Sequence, residues 1–283
     1  MQIQNNLPSM NASRNQGITE GKLKKSLEKL SSGYRIVRAG DDAAGLAISE
    51  SMRSRINGLN QAMSNIDDGI SLTNVGEGAL AEVHDMLHRM QTLAVEAANG
   101  TYHTMARENL EMERKELLAE IDRIGSTTDF GGVPLFSQAA NIPAGWTPPE
   151  QDGSITLQIG ATGTETLDVG RFYIGSKELL LDKTDFTSVE KANASIGILD
   201  MAVEAINDVR GAFGAAYSHL EHTHNNLSVT AENMTASESQ IRDTNMAQEF
   251  TDYTAANIVL QVSNAMLSQA NAIPDMIIKI LNS

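Results

Sequence analysis

Leu199, Ile206, Phe213, Leu220, Leu227, Met234 and Ile241 place an apolar residue at every seventh position towards the end of the chain. A β-strand repeats every two residues, so this period specifies one long helix whose apolar seam needs partner helices alongside. At 1.5 Å per residue a helix of about 43 residues is about 65 Å long, far beyond the three or four turns of an ordinary core helix. A second heptad run, Leu59, Ile66, Thr73, Leu80, Leu87 and Ala94, is flanked first by Ile56, Met63 and Ile70 and then, in a shifted phase, by Val83, Met90 and Ala97. Two long helices from opposite halves of the chain, each needing the same cover, most simply cover each other. The expected class is mainly α: an elongated antiparallel bundle or coiled coil.

Composition narrows what such a bundle can do. Aromatic residues make up only 4% of the 283 residues, and Ala, Leu, Ile and Met supply most of the 41% hydrophobic content, which favours slender helix packing over a thick centre. A formal charge of −15 leaves no broad basic face for a phosphate backbone, so no nucleic-acid partner is expected. The one dense basic run, Lys22, Lys24, Lys25 and Lys29, lies opposite Leu23, Leu27, Leu30 and Tyr34 and reads as the solvated side of an amphipathic helix. With no cysteine, neither a disulfide scaffold nor a thiol enzyme is possible. The opening MQIQNNLPSM lacks the pattern of a secretory signal, and no stretch approaches the ~18 apolar residues of a membrane span, so no membrane partner is expected.

Along the chain, the residue pattern predicts a helix over 4–34, stopped by Ser31, Ser32 and Gly33, and an irregular linker from Arg35 to Gly45 in which Asp41 or Asp42 caps the next helix. That helix runs to Ala98 and ends at Asn99 and Gly100, both tolerant of the left-handed conformation. A helix from Thr104 to Thr127, with Leu110, Leu117, Ile121 and Ile124 on one face, must double back on it because the connection is so short. From Gly131 to Gly153 four of the six prolines and the single tryptophan describe a loop-like excursion. Strands at 155–159 and 165–169 form a hairpin, the heptad helix starts near Val189, and a last helix spans 246–270 before the chain finishes on Ile277, Ile278, Ile280 and Leu281.

No catalytic arrangement stands out. The G-x-S-x-G elbow, the phosphate-binding loop and the dinucleotide fingerprint are absent, and the adjacent carboxylates Asp41/Asp42 and Asp67/Asp68 point about 100° apart on a helix, which suits capping or solvent contact rather than acid–base work. His84 and His88 have a spacing that lets two imidazoles share a metal, and His219, His222 and His224 cluster similarly. Neither group carries an HExxH-type acidic motif, so both read as surface histidines and no metal or cofactor is expected.

Long blocks of the chain resemble one family. LSSGYRIVRAGDDAAGLAISESMRSRINGLNQA (30–62) and DGISLTNVGEGALAEVHDMLHRMQTLAVEAANGT (68–101) are similar to the N-terminal signature of bacterial flagellins, and ENMTASESQIRDTNMAQEF (232–250) with SNAMLSQAN (263–271) to their closing segment. The resemblance covers roughly 1–135 and 190–283. Val37 departs from it where asparagine is frequent, Asn245 where aspartate is common and Gln248 where lysine is common.

The resemblance implies a non-enzymatic subunit of the flagellar filament, exported unfolded through the flagellum's own channel and extracellular. Residues 1–42 and 241–283 would form an inner coiled-coil layer of paired terminal helices, and 43–240 a rod-like bundle with a short insert at about 131–189 in place of large outer domains. Leu23, Leu27, Leu30, Phe250, Tyr253, Leu260 and Leu267 are the expected self-assembly residues. The implied partners are further copies, flagellar cap and hook-junction proteins, and an export chaperone at the C-terminus. By the same resemblance Arg89, Leu93 and Glu113 match a contact motif for an animal innate immune receptor. A junction protein of flagellin type, or a monomeric ligand of that receptor, is the alternative reading.

Overall fold

The computed structural model describes residues 6–137 and 151–281, with backbone only at 137, 151–152 and 274–281. Most of the proline-rich excursion, including Trp146, and the side chains of Ile277, Ile278, Ile280 and Leu281 therefore lie outside the described residues. Five α-helices appear among them: α1 (Leu7–Ser32), α2 (Ala43–Ala98), α3 (Thr104–Thr127), α4 (Val189–Arg242) and α5 (Met246–Leu281). The chain divides into a terminal unit, 1–56 with 232–283, and a central unit, 57–231.

The central unit holds the main core. Leu59, Ile66, Thr73, Leu80, Leu87 and Ala94 of α2 are all buried, as are Leu199, Ile206, Phe213 and Leu220 of α4. The two helices run antiparallel: Gln91 meets Asp200, Glu77 meets Arg210 and Asp67 meets His224, so that numbers fall on one helix as they rise on the other. Glycines let them approach. A Cβ on Gly76 would stand 2.9 Å from the Phe213 ring and one on Gly69 3.3 Å from Leu220, so two bulky knobs of the α4 heptad fill two holes of the same spacing on α2. The helix-breaking tendency of glycine is offset here by close packing.

α3 folds back antiparallel on α2 as its short connection requires. The end of α2 corrects the sequence reading, since neither Asn99 nor Gly100 has a positive φ. Instead Arg107 donates from Nε to the Ala97 carbonyl at 2.9 Å and from Nη2 to that of Asn99 at 3.0 Å, placing a cation on the negative end of the helix dipole. Arg114, buried on α3, grips both oxygens of Glu111, donates to Thr184 Oγ1 at 3.0 Å and stacks 5.7 Å from the Phe186 ring. The Phe186 amide donates to Glu111 at 3.1 Å, and Asp122 accepts from the Ser176 amide and hydroxyl. These bonds fasten the segment returning from the sheet to α4.

The sheet is also larger than the sequence reading allows. β4 (Gln151–Gln158) and β5 (Thr166–Tyr173) pair antiparallel, with Ile155 opposite Val169 and Leu157 opposite Leu167. The described start of the excursion is ordered: β1 (Asp129–Phe130) and β2 (Val133–Pro134) make a small hairpin, and β3 (Phe136–Ser137) joins β5 in parallel. Gly131 and Gly132 both have positive φ, the pattern of a two-residue turn that follows right-handed strand twist.

In the terminal unit, Asn6 caps α1 and Gly33, in the left-handed conformation, ends it. Asp42 Oδ1 accepts from the Gly45 amide at 2.9 Å and caps α2, and Asn245 caps α5 by accepting from the amides of Ala247 and Gln248. Between the helices the chain crosses itself: Arg35 donates its amide to the Arg242 carbonyl at 2.6 Å and Thr244 to that of Gly33 at 2.9 Å. Arg242 lies 4.6 Å over the Tyr34 ring and bonds Glu50. α5 extends beyond the expected end at Ala270, passing through Pro274 to Leu281.

Candidate functional site

α1 and α5 pack against each other antiparallel, with Lys29 beside Glu249 at one end and Ser9 bonded to Asn271 at the other. On α1 the covered residues are Ser9, Ala12, Gln16, Thr19, Leu23, Ser26 and Leu30, and on α5 Tyr253, Ala256, Leu260, Ser263, Leu267 and Ala270. Both sets step by alternate threes and fours, the spacing of a coiled-coil seam. The seam interleaves small and polar residues with leucines and a tyrosine, and only Thr19, Ser26 and Ala270 on it are buried.

Five of the expected assembly residues, Leu23, Leu30, Tyr253, Leu260 and Leu267, thus lie half-buried on this intramolecular seam. Leu27 and Phe250 lie off it and are 54% and 62% exposed. The larger outward surface is formed by residues that seam-based reasoning passes over: Leu7, Met10 and Ile18 on α1, and Ile258, Val259, Val262, Met266 and Ile273 on α5. Ile258, Val262 and Met266 follow the i, i+4, i+8 rule and form an exposed edge of α5 beside the seam. The signal that finds them is the apolar run along α5 outside the Tyr253–Leu260–Leu267 heptad. A helix apolar on more than one side belongs in a buried environment. Between the two helices Pro8, Asn11, Ala12 and Asn15 face Ile258, Val262 and Met266 across an open, mostly apolar groove.

Charge follows the same division. The terminal unit carries eleven Lys and Arg against eleven Asp and Glu, whereas the central unit carries ten against twenty-five, so the whole formal charge of −15 falls in the central unit. The lysine run is less detached from the packing than its solvated reading implies. Lys25 lies 3.5 Å from Asp41, and Lys29 lies 3.5 Å from Glu249 and is half-buried beside the seam.

In the central unit Arg89 Nε donates to Glu113 Oε1 at 2.7 Å, an exposed ion pair joining α2 and α3 that raises the arginine pKa further. Leu93 is fully buried in the core, so that of this trio only the two charged side chains offer surface. The Nε2 atoms of His84 and His88 approach to 2.9 Å, and partial burial, the neighbouring His88 and Arg210 hold the His84 pKa down. Among the described residues no three His, Cys, Asp or Glu side chains are grouped so as to hold a metal ion, and no helix is long and apolar enough to cross a membrane.

Comparison with known proteins matches both chain ends to one family. Residues 3–141 match the bacterial flagellin N-terminal helical region and residues 196–281 the bacterial flagellin C-terminal helical region. A flagellin of Halalkalibacterium halodurans is 42% identical over 99% of this chain and 100% of its own length. A flagellar filament 31.3 kDa core protein of Treponema maltophilum is 40% identical at the same coverage. The crystal structure of Bacillus cereus flagellin is 31% identical, with a TM-score of 0.50 over 62% of this chain and 94% of that one. The polar coiled-coil seam, the apolar surface outside it and this end-to-end similarity lead to one conclusion: the chain belongs to the bacterial flagellins, the structural proteins of the flagellar filament.

Proposed function

We propose that copies of this chain polymerise by burying the outward apolar side of the α1–α5 pair, and that the surface formed by Ile258, Val262 and Met266 is the main adhesive. This exposed stripe, which borders the groove beside α1 and is left uncovered by it, is the observation that carries the reading. Each such side chain is worth about 1.5–3 kcal/mol when it passes from water to a fully buried site. Heterologous contacts that do not close a ring produce an open helical filament. A terminal unit of zero formal charge adds no net repulsion when many copies gather, and the acidic central units keep assembled subunits soluble.

In this reading residues 1–42 and 241–283 make the inner coiled-coil layer, 43–240 the rod-like bundle and 131–189 its short insert. The chain acts outside the cell, exported through the flagellar channel, as the repeating unit of a swimming propeller. Before assembly an export chaperone covers the C-terminal helix, whose apolar sides would otherwise aggregate. Cap and hook-junction proteins meet the same terminal helices at the filament ends. Any contact with an animal immune receptor uses the Arg89–Glu113 pair, since Leu93 has no surface to offer.

Seeded polymerisation followed by electron microscopy tests the reading. Val262→Asp with Met266→Asp changes only exposed positions, so the monomer stays folded while filaments fail to grow. Long filaments from this variant would overturn the proposed surface. Reporter cells bearing the receptor that respond equally to wild type and to Arg89→Ala with Glu113→Ala would remove the receptor contact.

A further inference from the structure

α5 runs through Pro274 to Leu281, and proline has no amide hydrogen to give to the carbonyl four residues earlier. That carbonyl belongs to Ala270, which is buried on the seam with α1 and so has little access to water. Its donor comes from the other end of the chain: Asn6 Nδ2 lies 2.8 Å from the Ala270 oxygen. The same side chain accepts the Ser9 amide on Oδ1 at 3.2 Å and thereby caps α1. Beside it Ser9 Oγ donates to Asn271 Oδ1 at 2.6 Å. One carboxamide thus serves two helices, its oxygen closing the start of α1 and its nitrogen supplying the carbonyl that Pro274 leaves without a helical partner.

The geometry points to Asn6 as the register-setting residue of the terminal helix pair, with the proline-freed Ala270 carbonyl as its socket. Over the first turns of α1, Ser9, Ala12, Gln16 and Thr19 fix the sliding of α1 on α5 only weakly, because short or polar side chains make poor knobs, and the larger Leu23 and Leu30 lie half-buried towards the other end. Elsewhere in the interior of α5, carbonyls are engaged by amides four residues on; Pro274 creates the one that cannot be. A shift of α1 by a single residue moves Asn6 about 1.5 Å along the axis, breaks its bond and strands the Ala270 oxygen. Register in turn decides how Leu7, Met10 and Ile18 line up with Ile258, Val262 and Met266. The consequence for polymerisation therefore rests on the assembly reading above, while the pin itself rests on the hydrogen bonds.

A double-mutant cycle on the full chain tests this, comparing wild type, Asn6→Ala, Pro274→Ala and the double variant, with Asn6→Asp in both backgrounds. Two readouts are followed: hydrogen exchange over the first turns of α1, and the critical concentration for seeded polymerisation. Asn6→Ala should raise exchange and critical concentration about five- to tenfold, the scale of one lost hydrogen bond with its partner left buried. In the Pro274→Ala background the Ala270 carbonyl recovers a helical donor, and the effect of Asn6→Ala shrinks to that of the lost cap alone. Asn6→Asp separates the roles, since it keeps the capping oxygen and loses the donor. Beside Pro274 it should cost less than Asn6→Ala by the value of the cap, and it should be nearly neutral once Pro274 is replaced.

If replacing Pro274 leaves the cost of Asn6→Ala and that of Asn6→Asp each unchanged, the pin is wrong and Asn6 is only a cap. If wild-type protein fails to polymerise from seeds, the assembly reading fails, and the exchange cycle still decides for or against the pin.

Discussion

The terminal and central units use the same device, a heptad seam between antiparallel helices, and fill it in opposite ways. In the central unit the seam is apolar and closed, with Phe213 and Leu220 seated against Gly76 and Gly69. In the terminal unit the seam mixes small and polar residues with Leu23, Leu30, Tyr253, Leu260 and Leu267, which it only half buries, and further large apolar side chains lie exposed off it. Among the described residues, Ile36 and Ala270 are the only buried hydrophobics of the terminal unit, whereas Met10, Ile18, Phe250, Ile258, Val262 and Met266 are all more than half exposed. The central unit is built to be complete as a single copy. The terminal unit is built to be completed by others.

The sharpest way to break this contrast is to remove the buried cation of the central unit. Arg114→Ala leaves the Glu111 carboxylate in the interior without its guanidinium, a change that costs about 3–5 kcal/mol where a buried pair is opened. Thermal or denaturant unfolding followed by circular dichroism should show that loss. A change below about 1 kcal/mol, the scale of a surface ion pair, would mean that the central unit is less self-sufficient than its burial implies.

A matched pair of truncations follows. Leu87→Ala opens a cavity in the closed core and should cost about 2–5 kcal/mol, while Ile258→Ala, at a 57% exposed position, should leave monomer stability within about 0.5 kcal/mol. The same Ile258→Ala variant should raise the critical concentration for polymerisation, and Leu87→Ala should not do so under conditions where it remains folded. Equal effects of the two on monomer unfolding would erase the distinction between the units. Smaller again is Gly76→Ala, whose added methyl would lie 2.9 Å from the Phe213 ring and should cost about 1–3 kcal/mol in overpacking.

These comparisons also locate what the sequence can and cannot say. Helix ends that rest on local chemistry, such as Asp42 before α2, the start of α4 at Val189 and Gly33 after α1, are legible from residue types alone. The heptad of α4 is legible as a seam, but its filling is not: Leu199 to Leu220 are buried, whereas Leu227, Met234 and Ile241 on the same stripe are only half covered. Period reports that a partner is needed and is silent on whether this copy supplies it. On the α1 seam Leu23 and Leu30 are legible, but Ser9, Thr19 and Ser26 are hidden because they carry no hydrophobic signal, and Arg107 as the cap of α2 is hidden because that bond exists only after α3 folds back. The Gly131–Gly132 turn was within reach of sequence reasoning, as two glycines between Phe130 and Val133 fit a tight hairpin.

The gentlest probe is pH, followed at two carboxylates of the central unit. Asp185 Oδ2 accepts from Lys191 Nζ at 2.7 Å, and Oδ1 accepts the Thr187 amide at 2.8 Å, an arrangement that secures the approach to α4. The lysine bond outweighs partial burial and holds the Asp185 pKa at about 2. Glu111 is pushed up by burial, yet its bonds to Arg114 and the Phe186 amide bring it to a net value below the ordinary glutamate range. Because both folded-state values are depressed, their stabilisation is complete above the unfolded-state carboxylate pKa and fades as pH falls towards the folded-state values. For Asp185 that window runs from about 4 down to about 2. Lys191→Met should therefore flatten the fall of melting temperature with acid across this window. The flattening should be slight, because the ion pair is partly exposed and screened by solvent. An unchanged acid slope in Lys191→Met would assign the acid sensitivity to the buried Glu111–Arg114 pair, and Arg114→Ala should then remove most of it.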